Sequence, residues 1–375
     1  MTRTNPTSVA VLYSFVGDDD YEILRRKVQS GQVVSPTGDM KSLESIATVR
    51  EEIEAIVAGL RDKGYDARAV NIRDDFGLLL GSLTSPRPDI VFNLVESFNG
   101  DARQEDRVAA LYDLLRIPYT GSPPMALAIC QRKGITKQIL EALEIPTPKH
   151  ALVRKKPVPE AFSGLTYPLI VKPAWEDASL GVDEEAVVDD RQHLEDRVDR
   201  ILSEFKQPAL VEEFIEGREL GVSVLGNGSP RVLPIEEMDF TGLPDRYRGI
   251  LTFESKWEPL SEIFHMGRLV CPADLPRSVE QEAVDIALRT YQALGCRDYA
   301  RIDMRLDKDN RLFVLEANPN PDLTEGVAFM ASAQAAGLSF SDTLEAIVEE
   351  AVKRGKAAGP ADAASPEKRE DKAPE

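Results

Sequence analysis

A chain of 375 residues is long enough for two or three domains at roughly 100–200 residues each, and its 42% hydrophobic content suffices for packed cores. The 64 acidic residues against 45 basic ones give a formal charge of -19, which excludes a generic nucleic-acid or anionic-membrane surface, where phosphate must be met by clustered Lys and Arg. Cys130, Cys271 and Cys296 are too few and too scattered for a disulfide framework or a thiolate zinc site; with no run of about 18 apolar residues and no apolar signal core in "MTRTNPTSVAVLYSF", a cytoplasmic protein is expected.

From Val9 to about Gly121 the elements alternate. "SVAVLYSF" is a buried-strand candidate. "LESIATVREEIEAIVAGLRDKG" spaces Ile46, Val49, Ile53, Ile56 and Leu60 as a helix that Gly64 stops. "PDIVFNLVE" is a second apolar strand, and "EDRVAALYDLLRIPYTGS" a helix with a tight exit. Strands alternating with helices imply a parallel sheet with covering helices.

A second unit starts near Pro123, with a helix through "KGITKQILEALE", the loop "IPTPKHALV" and the strand "YPLIVKPAW". A third follows Pro208: "ALVEEFIEGRELGVSVLG" and "RVLPIEEMDF" read as strands, and "SVEQEAVDIALRTYQALG" as a helix with Ser278 as cap, Gln281 in the capping-box position and Gly295 at its end. After Arg354 the small, charged, Pro-containing sequence reads as a disordered tail. The expected division is 1–122, 123–208, 209–354 and the tail 355–375.

Between the last helix and the tail lies "RIDMRLDKDNRLFVLEANPNPD", two short strands joined by a polar turn. Alternation puts Ile302, Met304 and Leu306 on one face and Tyr299, Arg301, Asp303 and Arg305 on the other. A regular hairpin with Leu306 opposite Arg311 carries Arg301 opposite Glu316, with Asp303 one diagonal step, roughly 7–8 Å, away. Asn318 follows on the same face. Two carboxylates and an amide oxygen form a hard-oxygen cluster of the kind Mg²⁺ accepts; the alternative is a solvated hairpin whose acids pair with Arg301 and Arg305.

Lys172 ends the apolar run "LIVKP", where a lysine either snorkels to the surface or meets an anion, and Lys133 and Lys256 pose the same choice. The loop "PAWEDASLGV" after Lys172 holds small residues, Ala178, Ser179 and Gly181, whose N–H groups could close on phosphate oxygens. In "VEEFIEGRE" a strand edge could bond a purine, with Phe214 and Ile215 as apolar surface and Glu219 on ribose hydroxyls; an edge strand with a solvated turn is the alternative.

Taken in order, Lys133, "YPLIVKP" to "ASLG", "LVEEFIEGRE", "FESKW", "CPADL", "ARIDMRLD" and "FVLEANPNP" resemble the ATP-grasp superfamily, in its D-alanine–D-alanine ligase-like branch, over roughly Asp89 to Arg354. The resemblance implies an α/β fold: an N-terminal Rossmann-like parallel-sheet domain followed by a two-subdomain, α+β ATP-grasp unit that holds ATP between its halves. It implies that Lys133 and Lys172 hold phosphates, that Glu212, Phe214 and Ile215 line the adenine pocket with Glu219 on the ribose, that Leu315 also contacts ATP, and that Ser179 lies in the loop over the phosphates. Lys256 would contact the transferred γ-phosphate, Asp303, Glu316 and Asn318 would ligate two Mg²⁺ ions (Mn²⁺ as the alternative metal), and Arg301 would stabilise the tetrahedral intermediate. The implied chemistry joins a small-molecule carboxylate, activated as an acyl phosphate, to an amine, in an enzyme that binds neither nucleic acid nor membrane and is suggested to be a homodimer.

The sequence departs from that branch around the substrates. The family's serine and tyrosine of a hydrogen-bonded clasp read Ala178 and Trp257, and the first loop "SFVGDDDYE" lacks Gly-Gly, leaving Glu22 as a substitute in principle. The segment after the metal asparagine reads Asn320-Pro321-Asp322-Leu323, so Asp322 would repel an acceptor's carboxylate and favour a cationic acceptor. The expectation is therefore an ATP-dependent carboxylate–amine ligase for substrates other than two D-alanines, with a divergent D-alanine–D-alanine ligase and a non-catalytic nucleotide-binding regulator as alternatives. His150, His193 and His265 have no metal-ligand spacing, and 259–270 reads equally as a lid or a surface loop.

Overall fold

The computed structural model describes residues 6–30, 32–33, 43, 46–156 and 164–357. β1 (Ser8–Tyr13) lies between β2 (Asp66–Asn71) and β3 (Ile90–Leu94), parallel to both. Alternation along β1 sends Val9 and Val11 into one apolar cluster and Ala10 and Leu12 into another, the arrangement that needs helices on both faces. Those helices include α1 (Asp20–Gln29), α2 (Val49–Asp62), α3 (Phe76–Thr84) and α4 (Glu105–Leu114).

The predicted parallel unit is present, with three additions and one shortened helix. α1, β2 and α3 are absent from the sequence reading because α1 buries only Val28, "DARAVN" is an edge strand that buries only Ala67, and α3 buries only Leu79 and Leu83. Ile46 stays outside α2, which starts where Thr48 and Glu51 close a reciprocal capping box.

After α5 (Pro124–Gln131) and α6 (Lys133–Ala142) comes a four-stranded antiparallel sheet. It is built from β4 (His150–Val153), β5 (Leu169–Pro173), β6 (Val187–Val188) and β7 (Ala209–Glu213) in the order β4-β7-β5-β6, with α7 (Arg191–Arg200) packed on it. "HALV", expected in a loop, is a strand because its backbone pairs with β7. β7 belongs to this sheet, so the division expected at 208/209 falls between β7 and the strands it pairs with.

The larger antiparallel sheet follows: β8 (Gly217–Leu225), β9 (Arg231–Val232), β10 (Glu236–Asp239), β11 (Arg268–Val270), β12 (Tyr299–Asp307) and β13 (Leu312–Asn318), ordered β11-β10-β8-β12-β13 with β9 beside β8. Pro234 splits the predicted strand "RVLPIEEMDF" into β9 and β10. Short α8 (Phe253–Trp257) precedes β11, which makes part of segment 259–270 a strand. Helix α9 (Arg277–Ala293) covers the sheet. It begins after Pro276, so Ser278 lies inside its first turn and makes no cap, while Gly295 at φ +70° ends it as expected.

Last come α10 (Ala328–Ala335) and α11 (Phe340–Ala357). Leu344, Ile347, Val348 and Ala351 of α11 share a core with Val9, Val11 and Ile56, so the end of the chain packs against its beginning. The helix covers the first three residues of the expected tail; 358–375 lie outside the described residues. No helix among the described residues is long and apolar enough to cross a membrane.

Candidate active site

The hairpin of β12 and β13 brings its acids closer than predicted. Asp307 takes the N–H groups of Asp309 and Arg311 on its side chain, which lengthens the turn and pairs Leu306 with Leu312. A bulge between Asp303 and Met304 shifts the register again. Asp303 is then directly opposite Glu316, Arg301 is opposite Asn318, and Leu315 is left unpaired. The predicted alternation of faces holds: Ile302, Met304 and Leu306 enter the sheet's core.

A cleft opens above this rung, lined by Lys133, Lys172, Ser179, Glu212, Phe214, Ile215, Glu219, Lys256, Asp303, Leu315 and Glu316 among others. The structure thus gathers eleven of the sequence-predicted residues around one space, from both antiparallel sheets and the segments between them. Arg301, Asn318, Trp257, Asn320 and Asp322 stand beside it rather than in its lining.

The charges at its inner end interlock. Glu212, 1% exposed at its side chain, lies 2.6 Å from both Lys172 and Lys137. Burial works against its charge, but the two ammonium groups outweigh burial and hold the carboxyl at about 2. Lys137, fully buried, donates to Thr147 Oγ1 (2.7 Å) and Val314 O (3.0 Å), and its burial brings it down to about 8. Lys133 pairs with Glu316 at 2.7 Å and with Asp177 at 3.1 Å; burial opposes its charge, and the two acids outweigh it and raise the lysine.

Glu219 sits 2.9 Å from Arg305, whose guanidinium also reaches the carbonyls of Gly217 and Gly249 and lies over Phe214. Lys256 makes no ion pair with any described residue. The 177–181 loop holds Ala178, Ser179 and Gly181 at φ +53°, +61° and +76°. Gly181 has no alternative, since a Cβ there would lie 2.6 Å from Pro173. Trp257 Nε1 donates to Ala178 O at 2.9 Å, so the two positions altered from the family's clasp are still bridged, through the backbone.

Beyond Lys133, beside the cleft lining, lies a group of acids that Asp177 joins to it. Burial pushes Glu105 up to about 8, with Glu96 and Asp177 adding to it, and local desolvation with Asp322 and Asp177 raises Glu96 to about 7 although that residue is exposed overall. Burial, with Asp322 and Glu96, raises Glu52 to about 7. Asn320 donates to Glu105 at 2.7 Å and accepts from the Ser122 N–H at 3.1 Å. Asp322 caps its own turn by accepting from Thr324. Glu22 pairs with Arg26 on the surface of α1 and is not part of this group.

Sequence reasoning missed Lys137, Arg305, Glu236, Glu52, Glu96 and Glu105. Three carried a usable signal: Lys137 is one helical turn from Lys133, Arg305 continues the Arg301–Asp303 face, and Glu96 follows the carboxyl end of a parallel strand, where crevices form in open α/β sheets.

Two antiparallel sheets gripping a lysine- and acid-lined cleft, behind a parallel-sheet domain, define an ATP-grasp protein. Residues 134–349 match the family described as D-ala D-ala ligase C-terminus. A D-alanine–D-alanine ligase of Desulforudis audaxviator is 34% identical over 305 residues, 80% of this chain and 92% of that protein. An uncharacterised protein of Sinorhizobium fredii is 34% identical over 308 residues, 80% of this chain and 87% of the relative. In fold, the chain resembles the crystal structure of the D-alanine–D-alanine ligase from Bacillus anthracis complexed with ATP (TM-score 0.68, 21% identity, 94% of this chain and 100% of that one). The chain belongs to the D-alanine–D-alanine ligase family of ATP-grasp proteins, ATP-dependent ligases that form carbon–nitrogen bonds.

Proposed function

We propose that this protein is a Mg²⁺-dependent carboxylate–amine ligase that consumes ATP and whose acceptor is a cationic amine rather than a second D-alanine. The observation that carries the proposal is the division of charge across the site. Lys133, Lys172 and Lys256 line the cleft with Asp303 and Glu316, whereas Glu52, Glu96, Glu105, Asp177 and Asp322 form a mutually repelling group beside that lining, and among the described residues only Lys133 makes an ion pair with any of them.

In this reading Lys133, Lys172 and Lys256 meet the phosphates, and Ser179 with its left-handed loop closes over them. Phe214, Ile215 and Leu315 supply the apolar walls for adenine and Glu219 faces the ribose; Glu212 acts through Lys172, which it anchors. Asp303, Glu316 and the amide of Asn318 are a hard-oxygen donor set suited to Mg²⁺, which binds through one or two carboxylates and completes its shell with phosphate and water. The ion would neutralise phosphate charge.

A substrate carboxylate is a poor electrophile. Attack by its oxygen on the γ-phosphorus releases ADP and leaves an acyl phosphate; attack by the amine nitrogen on the acyl carbon then expels phosphate and the amine loses a proton. Both steps move negative charge onto oxygen, beside Arg301 and the lysines. An acceptor carboxylate would enter a region already crowded with acids, whereas an extra ammonium group would be stabilised there.

The test is Mg²⁺-dependent release of ADP and phosphate from the purified protein, across D- and L-amino acids, diamines and small carboxylates, singly and in pairs. Stimulation by a carboxylate together with a diamine or basic amino acid supports the proposal. Stimulation by D-alanine alone, as the names of the relatives at 34% identity suggest, would make this a divergent D-alanine–D-alanine ligase. Nucleotide binding with no turnover on any pair would make it a regulator.

A further inference from the structure

We infer that Glu236 is a reserve partner for Arg301: a buried carboxylate that takes over the guanidinium when Asp303 is required as a metal ligand. The inference rests on the metal-site reading above and adds a positioning residue to it.

Arg301 lays Nε and Nη2 on the two oxygens of Asp303, at 2.6 and 2.9 Å. Asn318 Nδ2 adds a third donor at 2.9 Å. Asp303 cannot present these oxygens to a divalent cation while a guanidinium covers both, because the two positive charges would repel at contact distance. Arg301 therefore has to release at least one oxygen, and its charge, largely withdrawn from solvent with the side chain 17% exposed, needs another acid within reach.

Glu236 is that acid. It lies on β10, across β8 from β12, with Oε1 3.9 Å from Arg301 Nε. The register puts Glu236, Gly221, Asp303 and Glu316 on one rung of four neighbouring strands. Gly221 is what lets Glu236 reach across: a Cβ there would lie 2.2 Å from Glu236 Oε1. The carboxylate's side chain is 5% exposed, and its only hydrogen bond among the described residues is a long one from Ser332, at 3.4 Å. A buried acid so thinly partnered is unfavourable as it stands, and makes physical sense as an acceptor held for a cation that arrives.

The other carboxylate of the rung has the same plan. Glu316 is covered by Lys133, and Lys133 has a second acid, Asp177, at 3.1 Å. Each predicted metal carboxylate thus carries a cation, and each cation has an alternative acid on its far side.

The experiment measures Mn²⁺ affinity by electron paramagnetic resonance of the free ion, with a non-hydrolysable ATP analogue present, for the wild type, Glu236→Gln, Arg301→Ala and the double variant. Glu236→Gln should weaken Mn²⁺ binding by about tenfold or more, the usual effect of losing a group that orients a ligand. In the Arg301→Ala background the same substitution should change affinity by less than about twofold, because a residue that acts through Arg301 has nothing left to act on. Glu236→Asp, which keeps the charge and loses the reach, should behave as the Gln variant does and provides a second probe should the amide fail to fold.

An unchanged affinity in Glu236→Gln, or an equal loss with and without Arg301, would overturn the inference, the second by reducing Glu236 to a distant charge. A wild type that binds no Mn²⁺ with the analogue would instead overturn the metal-site reading itself, and this inference with it.

Discussion

The two ends of the site handle charge in opposite ways. At the inner end the central acids are each matched by a cation: Glu212 has two lysines, Glu316 has Lys133, Asp303 has Arg301 and Glu219 has Arg305. At the outer end Glu52, Glu96 and Glu105 have no ion-pair partner among the described residues, and each is raised toward the neutral form. Interlocked pairs fix side chains in place, which under the proposed function suits the nucleotide common to every turnover. Unpaired acids leave a field to be satisfied by whatever binds, so the same proposal assigns selectivity for the second substrate to the outer end.

Breaking the inner end should have the largest effects. Lys172→Ala should lower ATP turnover by roughly 10²–10³-fold, the range for losing one preorganised charge or donor, and should leave the fold intact because Lys137 still pairs with Glu212. Turnover and circular dichroism on the same preparation check both halves; full activity would remove Lys172 from the site. Glu212→Leu should be worse for stability, since it strands two buried lysines together. Loss of one partner of a buried pair costs about 3–5 kcal/mol, read as a lower denaturant midpoint, and here a lower midpoint should appear even without ligand.

The hairpin shows how far the sequence reached. Alternation alone put Asp303, Glu316 and Asn318 on one polar face, because the period of a strand is insensitive to its neighbours. The register was off by one because Asp307 uses its side chain to lengthen the turn, and by another at the bulge, details set by hydrogen bonds that pattern does not encode. Lys137 was invisible for a different reason. A lysine in a polar helix reads as solvated, and only the fold reveals that it is sealed against Glu212 and Val314.

The outer end was least legible of all. Glu96 and Glu105 come from the N-terminal unit, and their nearness to Asp177 and Asp322 depends on how that unit docks. Asp298 fixes the docking by accepting from the Gly121 N–H at 2.9 Å and from Arg354. No local pattern predicts contacts between residues so distant in the chain.

Smaller effects should sharpen the contrast at this end. Glu96→Gln and Asp322→Asn should each raise KM for a cationic acceptor by roughly two- to fivefold, as expected for one charge in an open cleft, while KM for ATP stays constant. A parallel rise in both constants would mean that the two ends are not independent.

The smallest effect is a tilt in stability with pH. Glu105, Glu96 and Glu52 keep protons in the folded state up to about pH 7–8, while the same groups in the unfolded chain lose them near 4.5. Between those values the unfolded state binds fewer protons, so stability must fall as pH rises. The carboxyls held low, Glu51, Asp101 and Asp342, act below this window. Lys137, brought down to about 8, acts above it. Thermal unfolding should therefore move to lower temperature from pH 5 to pH 8, and Glu105→Gln should flatten the slope by removing the most strongly raised of the three groups. Saturation with the acceptor amine should flatten it too, because an ammonium among these carboxylates favours their charged forms. An anionic or zwitterionic acceptor would leave the slope in place, so the same titration distinguishes a cationic acceptor from D-alanine without measuring turnover.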